Sequence, residues 1–373
     1  MRTLTESDIN ALAIGAAILG TGGGGNPYIG KLHCLQELRG GAQVGLVGLD
    51  DLADDAVVVS IGGIGAPAVS VEKLEEGREG FRAVRALETY CGRRASALIA
   101  AEIGGGNSMT PIITAAQLGI PVVDGDGMGR AFPEMQMTTY SIYGHSSVPA
   151  TLADERGNVV LFREVCSEVW FERLVRSNVV TMGGTAVGAE APMTGRYVKR
   201  AAVPGTVSQA IALGHIVMAA NQAHTNPVAS ICAQEGGRHL MDAKIVDLKR
   251  HLEGGFSVGT IRLEGIDRDG GTVADIVFQN EFLLFRRDGV VEVCVPDLII
   301  LLDADNGHAI TTDVLRYGQR VAVIALPCHA LLRTTEALAV VGPAAFGLEG
   351  VTYTPLAAPA VPLSVHYPNP TLR

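Results

Sequence analysis

AVVVSIGGIG, residues 56–65, is a run of β-branched and apolar residues that ends in glycines, and it reads as a buried strand feeding a tight loop. VEKLEEGREGFRAVRALETYCG (71–92) follows it and reads as a helix with a charged outer face. ALIAAEIGGGN (97–107) is a second strand running into glycines, SMTPIITAAQLG is helix-like, and IPVVDGDGMGR supplies a third strand. Strand, glycine loop and helix repeated at this spacing predict an α/β layer with a largely parallel sheet. Ligands of such sheets sit outside the carboxyl ends of the strands, so the GGIGAP, EIGGGN and DGDGMGR loops are expected to converge on one cleft. GTGGGGNP (20–27) is expected to join them, after a helix over 7–19 capped by Ser7 or Asp8.

Beyond about residue 170 the pattern changes. GTVSQAIALGHIVMAANQ (205–222) reads as an amphipathic helix. GTIRLEGI, TVADIVFQNEFLLFR, VVEVCVPDLIILLD and QRVAVIALPC then alternate with the turns DRDGG, RRDG and DADNGH, the pattern of antiparallel hairpins. The expected organisation is an α/β domain over 1–168 and a β-rich, α+β domain over 169–373.

Composition narrows the function. A chain of 373 residues and 39.0 kDa, 47% hydrophobic, is long enough for true cores. A net charge of −10, with no long basic run, argues against a nucleic-acid partner. PDLIILLDA and VAVIALP are far shorter than the roughly 20 apolar residues that span a bilayer, and the first residues lack a basic and then apolar leader pattern. A cytoplasmic protein without membrane partners is expected. Six scattered cysteines with no CxxC pair exclude a zinc-finger or disulfide-scaffold pattern. The 18% charged content points to buried subunit interfaces and hence a homo-oligomer.

Several clusters could carry chemistry. The four glycines before Asn26 follow a helix rather than a strand and precede no Walker lysine pair, so no nucleotide is expected. Two readings remain, a flexible turn or the close approach of a small planar ligand to Gly23, Gly24, Gly25 and Asn26. EIGGGNSMTP repeats the form with Gly105, Gly106 and Asn107. Its Glu102 is either a buried acid or a partner of Arg130. DGDGMGRAFPEMQM (124–137) places Asp124, Asp126 and Glu134 near Arg130, a set suited to general-base catalysis, metal binding or a structural ion pair. Cys328-His329 could be a nucleophile with its base, or two soft metal ligands, provided that the chain turns at Pro327. His145, in YGHSSVPATLAD, is the remaining histidine of interest. FQNEF (278–282) sets polar residues within an apolar strand, as a core network or a cleft wall.

GTGGGGNPYIGK, EIGGGNSMTP, PVVDGDGMGRAFPEMQM, GGFSVGTIRLEG with FQNE, and PDLI with LRYGQRVAVIALP and VGPAAFG together resemble the S-methyl thiohydantoin desulfurase-like family. It was formerly a domain of unknown function, and its genes often accompany those of hydantoinases or oxoprolinases. The resemblance covers about residues 5–355 and implies an α/β part followed by a β-rich part. It also implies hydrolysis of a five-membered cyclic urea-type ring, S-methyl thiohydantoin giving hydantoin and a thiol. A thiophilic metal, copper(I) or zinc, would suit a departing thiolate, with Cys328, His329 and His145 as its ligands by chemistry. The glycine loops with Asn26 and Asn107 would then embrace the ring, Arg130 would pair with a substrate carboxylate, and Asp124, Asp126 or Glu134 would activate water. Alternatives are a non-catalytic subunit associated with a hydantoinase-type enzyme, and a metal-free cyclic amidohydrolase.

Overall fold

The computed structural model describes residues 1–65, 69 and 73–357. Two sheets form its frame. In the first, Gly45–Val47, Val122–Asp126, Ala97–Ala100 and Val57–Gly65 lie side by side in parallel. Val57, Val58 and Val59 are buried, as strands covered on both faces require. Antiparallel strands extend both margins: Arg2–Thr3 on one side, and Thr185–Ala189, Ala150–Ala153 and Val159–Phe162 on the other. The sheet thus takes strands from beyond residue 168, the short Met193–Thr194 and Val203–Pro204 included.

The second sheet has seven antiparallel strands in the order Val290–Cys294, Glu281–Arg287, Val273–Gln279, Phe256–Gly265, Arg238–Glu253, Arg320–Leu326 and Leu298–Asp303. The expected fold class, an α/β part with a largely parallel sheet and a β-rich part, is what the chain adopts.

Between the sheets lie two helices, Glu6–Leu19 and Thr206–Gln222, which cross with almost no spacing. A Cβ on Gly15 would fall 1.7 Å from the Ala210 carbonyl oxygen, and one on Gly214 would fall 1.8 Å from that of Ala11. Reciprocal glycines let the backbones touch, and the apolar core runs from the first sheet through this pair to Ile300, Leu302 and Ile324 of the second.

Several local expectations need correction. The first helix is capped by Thr5, not Ser7 or Asp8. The Thr5 Oγ1 accepts from the Asp8 amide and the Asp8 carboxylate accepts from the Thr5 amide, a reciprocal capping box with Asp8 at its third position. The helix expected over 71–92 begins only at Glu79, because Gly77 takes a φ of +82° and the Glu79 carboxylate caps the Glu76 amide. Residues 71 and 72 lie outside the described residues, as do Ala66 and Pro67 of the GGIGAP loop and residues 358–373. TVADIVFQNEFLLFR is not one strand but a hairpin. Asn280, at φ +57°, reverses the chain and pairs Gln279 with Glu281. VVEVCVPDLIILLD likewise splits at Val295–Pro296 into two strands that are not neighbours. Among the described residues, no helix is long and apolar enough to cross a membrane.

Candidate functional site

The carboxyl ends of the parallel strands open into a cavity of about 330 Å³. Gly62–Gly65 line it from the first strand, Ala101, Glu102, Gly106 and Asn107 from the second, and Met128 from the third. Gly24, Gly25 and Asn26 come from the opening glycine loop, and Asn280 and Glu281 from the hairpin of the second sheet.

The two glycine runs meet backbone to backbone. The Gly106 amide donates to the carbonyls of Gly24 (2.9 Å) and Gly25 (3.2 Å). A Cβ on Gly24 would stand 2.5 Å from the Gly104 carbonyl oxygen, and one on Gly105 would stand 2.2 Å from that of Gly25. Gly23 is filled from the other side, where a Cβ would lie 1.8 Å from Glu281 Oε1. What comes close to the bare backbone is therefore a second glycine loop and a glutamate. Gly23 and Gly105 support the wall, while Gly24, Gly25 and Gly106 face the cavity.

Asn107 locks this arrangement. Its Oδ1 accepts from the Gly63 amide at 2.5 Å, and its Nδ2 donates to Glu102 Oε1 at 2.6 Å, while Glu102 Oε2 accepts from the Phe132 amide at 3.1 Å. Asn26 is exposed and spends its Oδ1 on the Tyr28 amide, which opens the helix Tyr28–Arg39.

Among the described residues, four buried glutamates line the cavity: Glu79, Glu102, Glu190 and Glu281. Burial pushes the Glu102 carboxyl up to about 7, against the hydrogen bonds from Asn107 and Phe132. Burial, with the charge of Glu168, pushes Glu190 up to about 8. Glu281 rises well above the ordinary carboxylate range through burial and the charge of Glu102, with Arg130 opposing, and its Oε2 has no hydrogen-bond partner among the described residues. Carboxyls poised near neutrality in a small cavity are suited to proton transfer. Glu134 also lines the cavity, half-buried, held by the Gln136 amide and raised by burial and by Glu172.

The other residues singled out from the sequence lie elsewhere. Asp124 accepts from the Ser208 amide (3.0 Å) and hydroxyl (2.5 Å), fastening the first turn of the helix Thr206–Gln222. Asp126 is fully buried outside the cavity lining, where it accepts from the amides of Ile103, Met128 and Gly129 and so shapes the DGDGMGR loop. Arg130 is fully buried too. Its guanidinium donates to the carbonyls of Pro296, Asp297, Phe282 and Ala131 and to the Thr21 hydroxyl, and it lies 4.6 Å from the Phe132 ring centroid. It ties the loops of the first sheet to the second and leaves no donor face for a substrate carboxylate.

The expected metal ligands do not form a set either. The Cys328 thiol is pushed up to about 12 by burial and the charge of Asp297, so it stays protonated. It lies 3.4 Å from Arg333 Nε and 3.6 Å from the Tyr353 hydroxyl. His329 Nδ1 accepts from the Leu331 amide, and His145 Nε2 sits 3.0 Å from the Ala191 carbonyl oxygen beside the Tyr197 ring. Among the described residues, no group of three or more His, Cys, Asp or Glu side chains could hold a metal ion. Two histidines with separate backbone partners, and a cysteine that joins them in no set of three among the described residues, do not fit copper(I) or zinc.

Sequence reasoning missed Glu190 and the acid role of Glu281. The available signals were a carboxylate directly after the apolar strand TAVGA and the one in FQNEF. Glu102 was open between a buried acid and an arginine partner, and the structure makes it a buried acid bonded to Asn107.

A parallel-centred sheet and an antiparallel sheet that close a small cavity over paired glycine loops define a two-sheet protein of the α/β plus all-β kind. The chain belongs to the S-Me-THD-like family: the model of its N-terminal domain matches residues 7–164 and that of its C-terminal domain matches 166–356. It is also similar to a crystal structure of a protein from Chromobacterium violaceum, with 25% identity and a TM-score of 0.78 over 96% of this chain and 100% of that one. The comparison with curated proteins returned no match.

Proposed function

We propose that the protein is a hydrolase that converts an S-methyl thiohydantoin to the hydantoin with release of methanethiol. The observation that carries this reading is that the buried carboxyls of Glu102, Glu190 and Glu281, all raised by burial, line one cavity of about 330 Å³ walled by glycine backbone and Asn107, in a chain of this family. A five-membered amide ring is flat and offers donors and acceptors along its edge, which suits a backbone-lined slot.

Glu102, near half-ionised at neutral pH, takes a proton from water as the water oxygen bonds to the ring carbon that bears sulfur. The carbon–sulfur bond breaks, and Glu281, protonated because it is buried beside Glu102, gives its proton to the departing sulfur. The hydroxylated ring carbon then tautomerises to the carbonyl with the proton on the adjacent ring nitrogen, and the proton held by Glu102 restores Glu281. One water is consumed and one methanethiol is formed. No step requires Asp124, Asp126, Arg130 or Cys328.

The test is incubation of the protein with S-methyl thiohydantoins and with plain hydantoins, following thiol release and ring opening separately. Thiol release with the ring intact supports the proposal. Ring opening without thiol release supports a cyclic amidohydrolase instead, and neither product sinks both.

A further inference from the structure

The cavity is strongly one-sided in its ionisable side chains. Besides Glu102, Glu134, Glu190 and Glu281, it is lined by Glu75, Glu79 and Glu155. Among the described residues, its lysine and arginine lining is Lys73 and Arg176, and both are already engaged. Lys73 Nζ lies 2.7 Å from Glu155 and donates to the Met182 and Thr185 carbonyls, while Arg176 pairs with Glu172 at 2.6 Å and donates to the Pro133 carbonyl. Among the described residues, none of the other six lining glutamates has a lysine or arginine nitrogen within 4 Å. His33 also faces the cavity, its Nδ1 buried without a hydrogen-bond partner, and Arg130 acts on Glu102 and Glu281 from behind the wall.

A second observation shows that this is more than an acidic cluster. Glu281 is 2% exposed, lines the cavity, and has an Oε2 that meets no donor among the described residues. A buried acceptor left open is costly unless something outside the chain satisfies it. The acids are also dispersed, and no three of them come together as metal ligands. A compact ion would therefore leave most of them unanswered, whereas an extended organic cation with several N–H groups would not.

We propose that the ring accepted by this cavity carries a positively charged side chain, an amine or a guanidinium, and that a ring bearing a carboxylate is turned away. This rests on the hydantoin-type reading above and reverses the sequence expectation of an arginine–carboxylate contact. When the cavity is empty, Glu190, raised by burial to about 8, holds its proton at neutral pH, and Glu102, raised to about 7, is protonated in about half of the molecules. A bound cation favours their ionised forms, so binding should release protons.

The experiment is isothermal titration of the full chain at pH 7 with three hydantoins whose side chains have equal length and end in an amine, a methyl or a carboxylate. It is run in two buffers of different ionisation enthalpy. The amine compound is expected to bind roughly tenfold or more tightly than the carboxylate one, with net proton release and the methyl compound between them. Glu190→Gln should narrow the amine preference, while Glu253→Gln, at the exposed turn of the long hairpin, should leave it intact. Equal or tighter binding of the carboxylate compound, binding without proton release, or no binding of any of the three would overturn the inference. Thiol release from the matching S-methyl compounds separates the two claims. Turnover without charge preference removes only this inference, and amine preference without thiol release removes only the desulfurase reading.

Discussion

Replacing Glu190 with glutamine should make the protein more stable, by an amount that grows with pH. A carboxyl that ordinarily titrates near 4.5 is pushed up to about 8 in the fold, chiefly by burial. Between those values the unfolded chain has lost a proton that the folded chain still holds, so stability falls as pH rises through the window and levels off above it. At about 1.4 kcal/mol per pKa unit, the full window corresponds to roughly 5 kcal/mol, and the part between pH 5 and pH 8.5 to about 4 kcal/mol. Glutamine keeps the shape and cannot ionise. Urea denaturation of both proteins at the two pH values should show the variant's advantage increasing by about 4 kcal/mol at the higher pH. Glu168→Gln, which removes the neighbouring charge, should move the wild-type curve a smaller distance in the same direction. A difference between Glu190→Gln and wild type that is the same at pH 5 and pH 8.5 would refute the reasoning, since Glu190 would then not be a buried acid of raised pKa.

Other substitutions probe the supports of the cavity. Gly23→Ala, whose Cβ would meet Glu281 Oε1 at 1.8 Å, should displace that carboxyl and reduce turnover sharply; Gly25→Ala, with open space around it but a φ of +77°, should cost only about 1 kcal/mol in thermal denaturation. Arg130→Met strands five acceptors in the interior and should destabilise the fold by about 3–5 kcal/mol without a specific effect on KM, in contrast to a substrate-binding arginine. In the pH profile of kcat/KM, activity should rise with pH through about 7 as Glu102 ionises, and Glu102→Gln should remove that limb; Asp126→Asn should leave the limb in place while costing about 1–3 kcal/mol of stability.

Most of the frame was legible from residue patterns. AVVVSIGGIG and ALIAAEIGGGN are apolar runs that stop at glycines, and nothing in the tertiary structure overrides them. The convergence of their loops follows from parallel strand order alone. The hairpin at Asn280 was not legible, because an asparagine within an apolar run signals a reversal only if its backbone turns left-handed. That hairpin brings Glu281 from the second sheet to the glycine loop of the first, a contact between residues more than 250 positions apart. The DGDGMGR carboxylates looked catalytic because a strand-end aspartate that binds loop amides and one that activates water are identical in sequence. Asp126 is occupied by three backbone amides and Asp124 by Ser208. The glycines of GTGGGGNP permit close approach, and the protein groups that come near Gly23 and Gly24 are Glu281, Gly104 and Gly105.

The most direct test of the central claim is methanethiol release from an S-methyl thiohydantoin in ¹⁸O-labelled water by the wild-type protein and by Glu102→Gln and Glu281→Gln, each checked for folding by circular dichroism. The expected result is one labelled oxygen in the hydantoin carbonyl per thiol released, with kcat lowered on the order of 10²–10⁴-fold in both variants. Unlabelled product, no thiol, or undiminished turnover in both folded variants would contradict it.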